Sequence, residues 1–133
     1  MNLETALNEL IAPYKNQVSI CMYDTDDLFF SYQEYRQFPA ASLIKLGVLA
    51  TQLAQNEDLN QMINVSKTPK VGGAGVLQLL TPEEWPIKDL LGLMIADSDN
   101  YAANVMIDHL SMTAINQWLD ANHYDGTSLQ RRL

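Results

Sequence analysis

Apolar residues recur at helical spacing over residues 3–12, where Leu3, Ala6, Leu7, Leu10 and Ile11 share one side and Pro13 ends the run. The period then drops to two. Val18, Ile20 and Met22 alternate with more polar neighbours, Asp24-Thr25-Asp26-Asp27 is turn-like, and Leu28 to Gln33 is aromatic and β-prone. Residues 17–33 therefore read as a β-hairpin. From Ser42 onward the pattern is apolar over most of a helical circumference, through Leu43, Ile44, Leu46, Val48, Leu49, Ala50 and Leu53. A helix of that kind is buried inside a domain. Residues 56–75 read as irregular or only briefly helical, closing on Gly72-Gly73-Ala74-Gly75, with a short helix around 76–80. Pro86 marks the first turn of a helix running from Ile87 to about Ala96. Ser98-Asp99-Asn100 interrupts it, helical spacing resumes from Ala102 to Leu110, and a last helix covers about 113–122. The order is helix, hairpin, then a block of helices, which is an α+β arrangement.

Composition narrows the functional classes. The chain has 133 residues, room for one domain with a real core. Its 8 basic and 16 acidic residues give a net charge of −8. That balance argues against nucleic-acid binding, which needs a basic face, and against docking on anionic membranes. Cys21, alone in an apolar run, reads as a small core residue. His109 and His123 read as solvated side chains on amphipathic or loop segments, and no His/Cys/Asp spacing resembles a metal site. No cofactor is expected. The start Met1-Asn2-Leu3-Glu4 lacks a basic region and an apolar stretch, so the protein is expected to be cytoplasmic, or exported with its signal removed.

Two polar groups stand out against this apolar background. Ser42 and Lys45 lie three residues apart at the start of the buried helix, so they share a face. A lysine on such a helix loses solvation, which favours its neutral form, and a neutral amine beside a hydroxyl can act as a general base. The plain alternative is that Ser42 is an N-cap and Lys45 a snorkelling surface residue. The second group, Ser98-Asp99-Asn100, sits between two apolar helical runs, where polar residues are costly unless hydrogen-bonded or functional. Its plain alternative is a helix C-cap joined to the next N-cap.

Together, Ser-x-x-Lys followed 56 residues later by Ser-Asp-Asn resembles the class A β-lactamases and related penicillin-recognising serine hydrolases. The likeness extends over nearly the whole chain. Phe38 to Leu46 looks like the family's nucleophile segment, and Gly73-Ala74-Gly75-Val76-Leu77 like its glycine-containing connector. Asp89 to Asn104 looks like its helix–triplet–helix stretch, and Thr127 to Arg132 like the lead-in to its Ω-loop.

This resemblance implies a truncated β-lactamase/transpeptidase-like fold. Residues 1–37 would supply a helix and hairpin, and residues 38–133 the helical part with the active-site motifs. It implies that Ser42 attacks the carbonyl of a β-lactam or an acyl-D-Ala-D-Ala-type amide. Lys45 would take the Ser42 proton directly or through water, Ser98 would relay a proton to the departing nitrogen, and Asn100 would hold the lysine and bind the substrate's amide side chain. Asp99 would be structural, and the Ser42 N–H would form half of an oxyanion hole.

The chain also departs from the family. The Lys-Thr-Gly-type strand is absent, Lys67-Thr68-Pro69 is no substitute, and the Ω-loop acid that activates the deacylating water would lie beyond Leu133, so the 133 residues alone are expected not to turn over substrate. A missing C-terminal segment, a second chain or self-association is therefore expected to cover the sheet edge. The competing readings are a D,D-peptidase-like hydrolase of the same fold and a non-catalytic binding or assembly protein.

Overall fold

The computed structural model describes residues 2–133, which fall into two compact units, up to Pro39 and from Ala40 onward. In the first, helix α1 (Leu3–Ile11) is capped by Asn2, whose side chain accepts from the Thr5 N–H at 2.8 Å. A 3-10 turn at Ala12–Tyr14 accommodates Pro13 and ends it. Strands β1 (Ile20–Asp24) and β2 (Asp27–Tyr32) pair antiparallel, from Ile20 opposite Tyr32 to Asp24 opposite Asp27, with a bulge between Met22 and Tyr23. The hairpin is the expected one, but β1 begins three residues later than the alternation implied. Cys21 is exposed, contrary to its reading as a core residue. In a two-stranded hairpin, alternation sorts side chains onto two faces without providing a layer to bury either. Among the described residues of this unit only Ile11 and Phe30 are buried, and Tyr23, Leu28 and Phe29 are more than half exposed.

The second unit holds the main core. Helix α2 (Ile44–Ala54) follows a 3-10 turn at Ala41–Leu43. Strands β3 (Met62–Asn64) and β4 (Glu84–Pro86) form a short antiparallel ladder. Three helices complete the unit: α3 (Ile87–Ala96), α4 (Asn100–Leu110) and α5 (Met112–Ala121). Helix α4 is central, and every residue from Tyr101 to Ile107 is buried. Around it pack Val48 of α2, Leu90 and Met94 of α3, and Ile115 and Leu119 of α5. The Tyr101 hydroxyl finds its partner in the Val65 carbonyl at 2.6 Å, as a buried phenol must.

Sequence periodicity missed the ladder, because three residues are too few to establish a period. Pro86 is both the end of β4 and the cap position of α3. His109 also departs from its expected solvated state. It is half-buried, with Nε2 at 2.9 Å from Glu57 Oε2, which also accepts from the Gln52 amide at 2.8 Å. The Gln52 bond, then that of His109, holds the Glu57 carboxyl below its ordinary range.

Two asparagines fasten the C-terminal segment to the helices. Asn116 bonds both backbone groups of Leu129, at 2.9 and 2.8 Å. Asn104, one turn beyond Asn100 on α4, does the same for Leu133, at 3.0 and 2.8 Å. Among the described residues no helix is long and apolar enough to cross a membrane. Nor do three His, Cys, Asp or Glu side chains among them form a group able to hold a metal ion.

Candidate active site

The second unit brings Ser42, Lys45, Ser98 and Asn100 to one place. Ser42 is exposed in the 3-10 turn that leads into α2. Ala41, immediately before it, holds φ at 46°, a left-handed conformation that costs a non-glycine residue energy. Lys45 enters the first turn of α2, where Ile44 and Val48 are buried, and is itself only 2% exposed. Burial pushes the Lys45 amine below its ordinary value of 10.5, and the nearby Asp99 charge opposes this in part. Lys45 is therefore no snorkelling surface residue.

The triplet arises where two helices meet. Helix α3 closes with the Leu93 carbonyl accepting the N–H groups of Asp97 and Asp99 at 3.2 and 3.1 Å. Ser98 then takes φ 53°, and Asp99 starts α4 by accepting from the Ala102 N–H at 2.9 Å. The other Asp99 oxygen accepts from the Leu77 N–H at 2.7 Å. At 1% exposure, this carboxylate is committed to backbone donors. The cap and the cluster are the same residues in two roles: Asp99 faces the backbone, and its two neighbours face Lys45.

Lys45 Nζ donates to Ser98 Oγ at 2.9 Å, to Asn100 Oδ1 at 2.9 Å, and to the Ser98 carbonyl. Three acceptors match the three protons of an ammonium group. Ser98 Oγ also lies 2.9 Å from Ser42 Oγ. This differs from the direct Ser42–Lys45 contact that i, i+3 spacing implies. The lysine side chain extends from α2 across to the triplet, so the two residues are joined through the Ser98 hydroxyl. Chemically the arrangement is an exposed hydroxyl, a bridging hydroxyl and a desolvated amine in line. A proton released by Ser42 can reach a neutral Lys45 in two short transfers. Sequence reasoning had also missed the Leu77 N–H and the Ala74 carbonyl, which accepts from the Asn100 N–H at 3.0 Å. They are backbone groups, and only the glycines around them signalled the segment.

Comparison with known proteins gives a consistent picture. The family described as the beta-lactamase enzyme family matches residues 2–133. A solved β-lactamase from Sphaerobacter thermophilus DSM 20745 is 25% identical, with a TM-score of 0.79, and the match covers 98% of this chain and 52% of that one. PBP-A is 24% identical, with a TM-score of 0.80, covering 97% and 53%. A PBP-A point variant, solved as an acyl-enzyme complex with penicillin G, is also 24% identical, with a TM-score of 0.81 and coverage of 98% and 53%. The chain thus spans about half the length of these structures. No curated protein sequence matches it.

Proposed function

The chain belongs to the β-lactamase enzyme family, and on that footing we propose that Ser42 accepts an acyl group from β-lactam or related acyl-D-Ala-D-Ala-type amides. The observation that carries this reading is the Ser42–Ser98–Lys45 hydrogen-bonded line. Ser42 Oγ attacks the carbonyl carbon, and its proton passes through Ser98 to neutral Lys45. The C–N bond then breaks, and the departing nitrogen takes a proton from Ser98, which Lys45 replenishes. The product is an ester on Ser42. Asn100 keeps the lysine in place and presents its carboxamide to the substrate's amide side chain. The Ser42 N–H supports the developing oxyanion.

The test is intact-mass spectrometry of the chain incubated with penicillin G. The expected result is a gain of one whole penicillin, because ring opening expels no fragment. An unchanged mass, in a longer polypeptide as well, would favour the non-catalytic binding or assembly reading.

For residues 1–133 by themselves we propose acylation without rapid hydrolysis. Water must attack the ester to regenerate Ser42, and that step needs a base. Among the described residues no Asp or Glu side chain is hydrogen-bonded to Ser42, Ser98 or Lys45, and Asp99 is engaged by backbone N–H groups. The adduct on residues 1–133 is expected to persist for hours with no multiple turnover. Catalytic consumption of penicillin by this chain as a monomer would contradict that. We further propose that the exposed apolar side chains of the hairpin, Tyr23, Leu28 and Phe29, are covered by further polypeptide: a following segment, a separate chain or a second copy. Light scattering on residues 1–133 is expected to show self-association. A stable monomer would count against it.

The pH dependence follows from Lys45. Its neutral form is the competent one, so acylation rises as pH passes through the lowered Lys45 pKa and is lost as pH falls through it. The inflection should lie below 10.5, the ordinary lysine value. Measured acylation rates across pH, with Lys45→Met lacking that limb, check this.

A further inference from the structure

The connector that precedes the triplet in sequence lies against it in space. Asn100 donates its backbone N–H to the Ala74 carbonyl at 3.0 Å, and Leu77 donates to the Asp99 carboxylate at 2.7 Å. Gly73 and Gly75 flank Ala74, and both are left-handed, with φ of 101° and 107°. Either would be strained with any other side chain. The space is closed as well. A β-carbon on Gly75 would fall 2.5 Å from Asp99 Cα and closer still to the Asp99 carboxylate. One on Gly73 would fall 2.7 Å from Asn100 Nδ2. No contact of this kind exists at Gly92, on the exposed side of α3, where an added β-carbon meets nothing within 4 Å.

We infer that Gly73 and Gly75 are positioning residues: the connector seats the backbone of Asp99 and Asn100, and thereby sets the distance of Ser98 and Asn100 from the Lys45 amine. This rests on the acyl-transfer reading of the site. The chain of consequence is short. Ser98 precedes Asp99 directly, and Ser98 supplies two of the three acceptors on Lys45. Displacing Asp99 Cα carries the Ser98 carbonyl and hydroxyl with it. The 2.9 Å bonds to Lys45 and Ser42 tolerate only a few tenths of an ångström before they weaken. The two glycines differ in degree. Gly75 abuts backbone, which must move, whereas Gly73 abuts the end of a carboxamide that can rotate away at the expense of the Asn100–Lys45 bond.

The experiment compares Gly75→Ala, Gly73→Ala and Gly92→Ala in the chain of residues 1–133. Three quantities are measured for each. They are the unfolding transition, the rate of acylation by penicillin G, and the titration midpoint of Lys45 by NMR of labelled lysine, assigned by its loss in Lys45→Met. Gly75→Ala should acylate roughly a hundredfold more slowly, the loss expected for about 1 Å of misplacement. Its Lys45 midpoint should move, because a displaced triplet changes both the amine's contact with water and its distances from the Asp99 charge and the Ser98 and Asn100 acceptors. Gly73→Ala should show the same changes, smaller, and Gly92→Ala neither. A merely structural role for the glycines would lower stability without moving the midpoint. If Gly75→Ala does not fold, Gly73→Ala decides. A folded Gly75→Ala (or, in that case, Gly73→Ala) that acylates within twofold of the parent with an unmoved midpoint overturns the inference. If the parent itself is not acylated, the acyl-transfer reading fails, and the midpoints alone still decide whether the glycines position the triplet.

Discussion

Lys45→Ala should slow acylation of Ser42 by penicillin G about a hundred- to ten-thousand-fold, the range over which a positioned general base acts. Ser98 Oγ is the only link between the amine and the nucleophile, and it has no other base beside it among the described residues. Without the amine, the Ser42 proton has no acceptor short of bulk water. The substitution also removes a buried amine and leaves Asn100 Oδ1 and the Ser98 carbonyl without their donor. Lys45→Met, which fills the same channel without charge, separates the two effects. It should fold cooperatively and still be slow. Acylation within tenfold of the parent in a folded Lys45→Met would remove Lys45 from the mechanism.

Asp99→Ala should destabilise the second unit by about 2–6 kcal/mol, since two buried backbone donors lose their acceptor at ~1–3 kcal/mol each. Those donors are the Leu77 and Ala102 N–H groups, and their distances of 2.7 and 2.9 Å are those of charge-assisted bonds. One loss detaches the connector and the other uncaps α4. Asp99→Asn keeps one acceptor and should cost about half as much. It should also lower the Lys45 pKa further, because the Asp99 charge is what partly offsets burial there. Urea titration of both variants, with Lys45 followed by NMR, gives the two numbers. A stability change under about 0.5 kcal/mol for Asp99→Ala would show that water replaces the lost acceptor.

The parts legible in the sequence were those where many residues repeat one instruction. Leu90, Leu91 and Met94 announce α3, and Ala102, Ala103, Val105, Met106 and Ile107 announce α4; all are buried. The β3–β4 ladder gave no such signal, since Met62–Asn64 and Glu84–Pro86 are too short to alternate detectably. The Glu57–His109 pair joins residues 52 apart, a separation that only packing can close. In the site, spacing placed Ser42 and Lys45 on one face but did not show how far a lysine reaches. It reaches the triplet on the neighbouring helix junction, so Ser98 stands between the two. The left-handed Ala41 and Ser98 were equally invisible, because neither is a glycine, the residue type that marks such a backbone. Gly73 and Gly75 are the converse case. There the residue type itself recorded a close approach that the sequence could mark but not explain.

The central claim is that Ser42 carries the acyl group, and mapping the adduct tests it most directly. Residues 1–133 and Ser42→Ala are incubated with penicillin G, quenched, digested and sequenced by tandem mass spectrometry. The account predicts one modified peptide, with the added mass on Ser42, and no adduct in Ser42→Ala. An adduct on another residue, or undiminished labelling of Ser42→Ala, would contradict it.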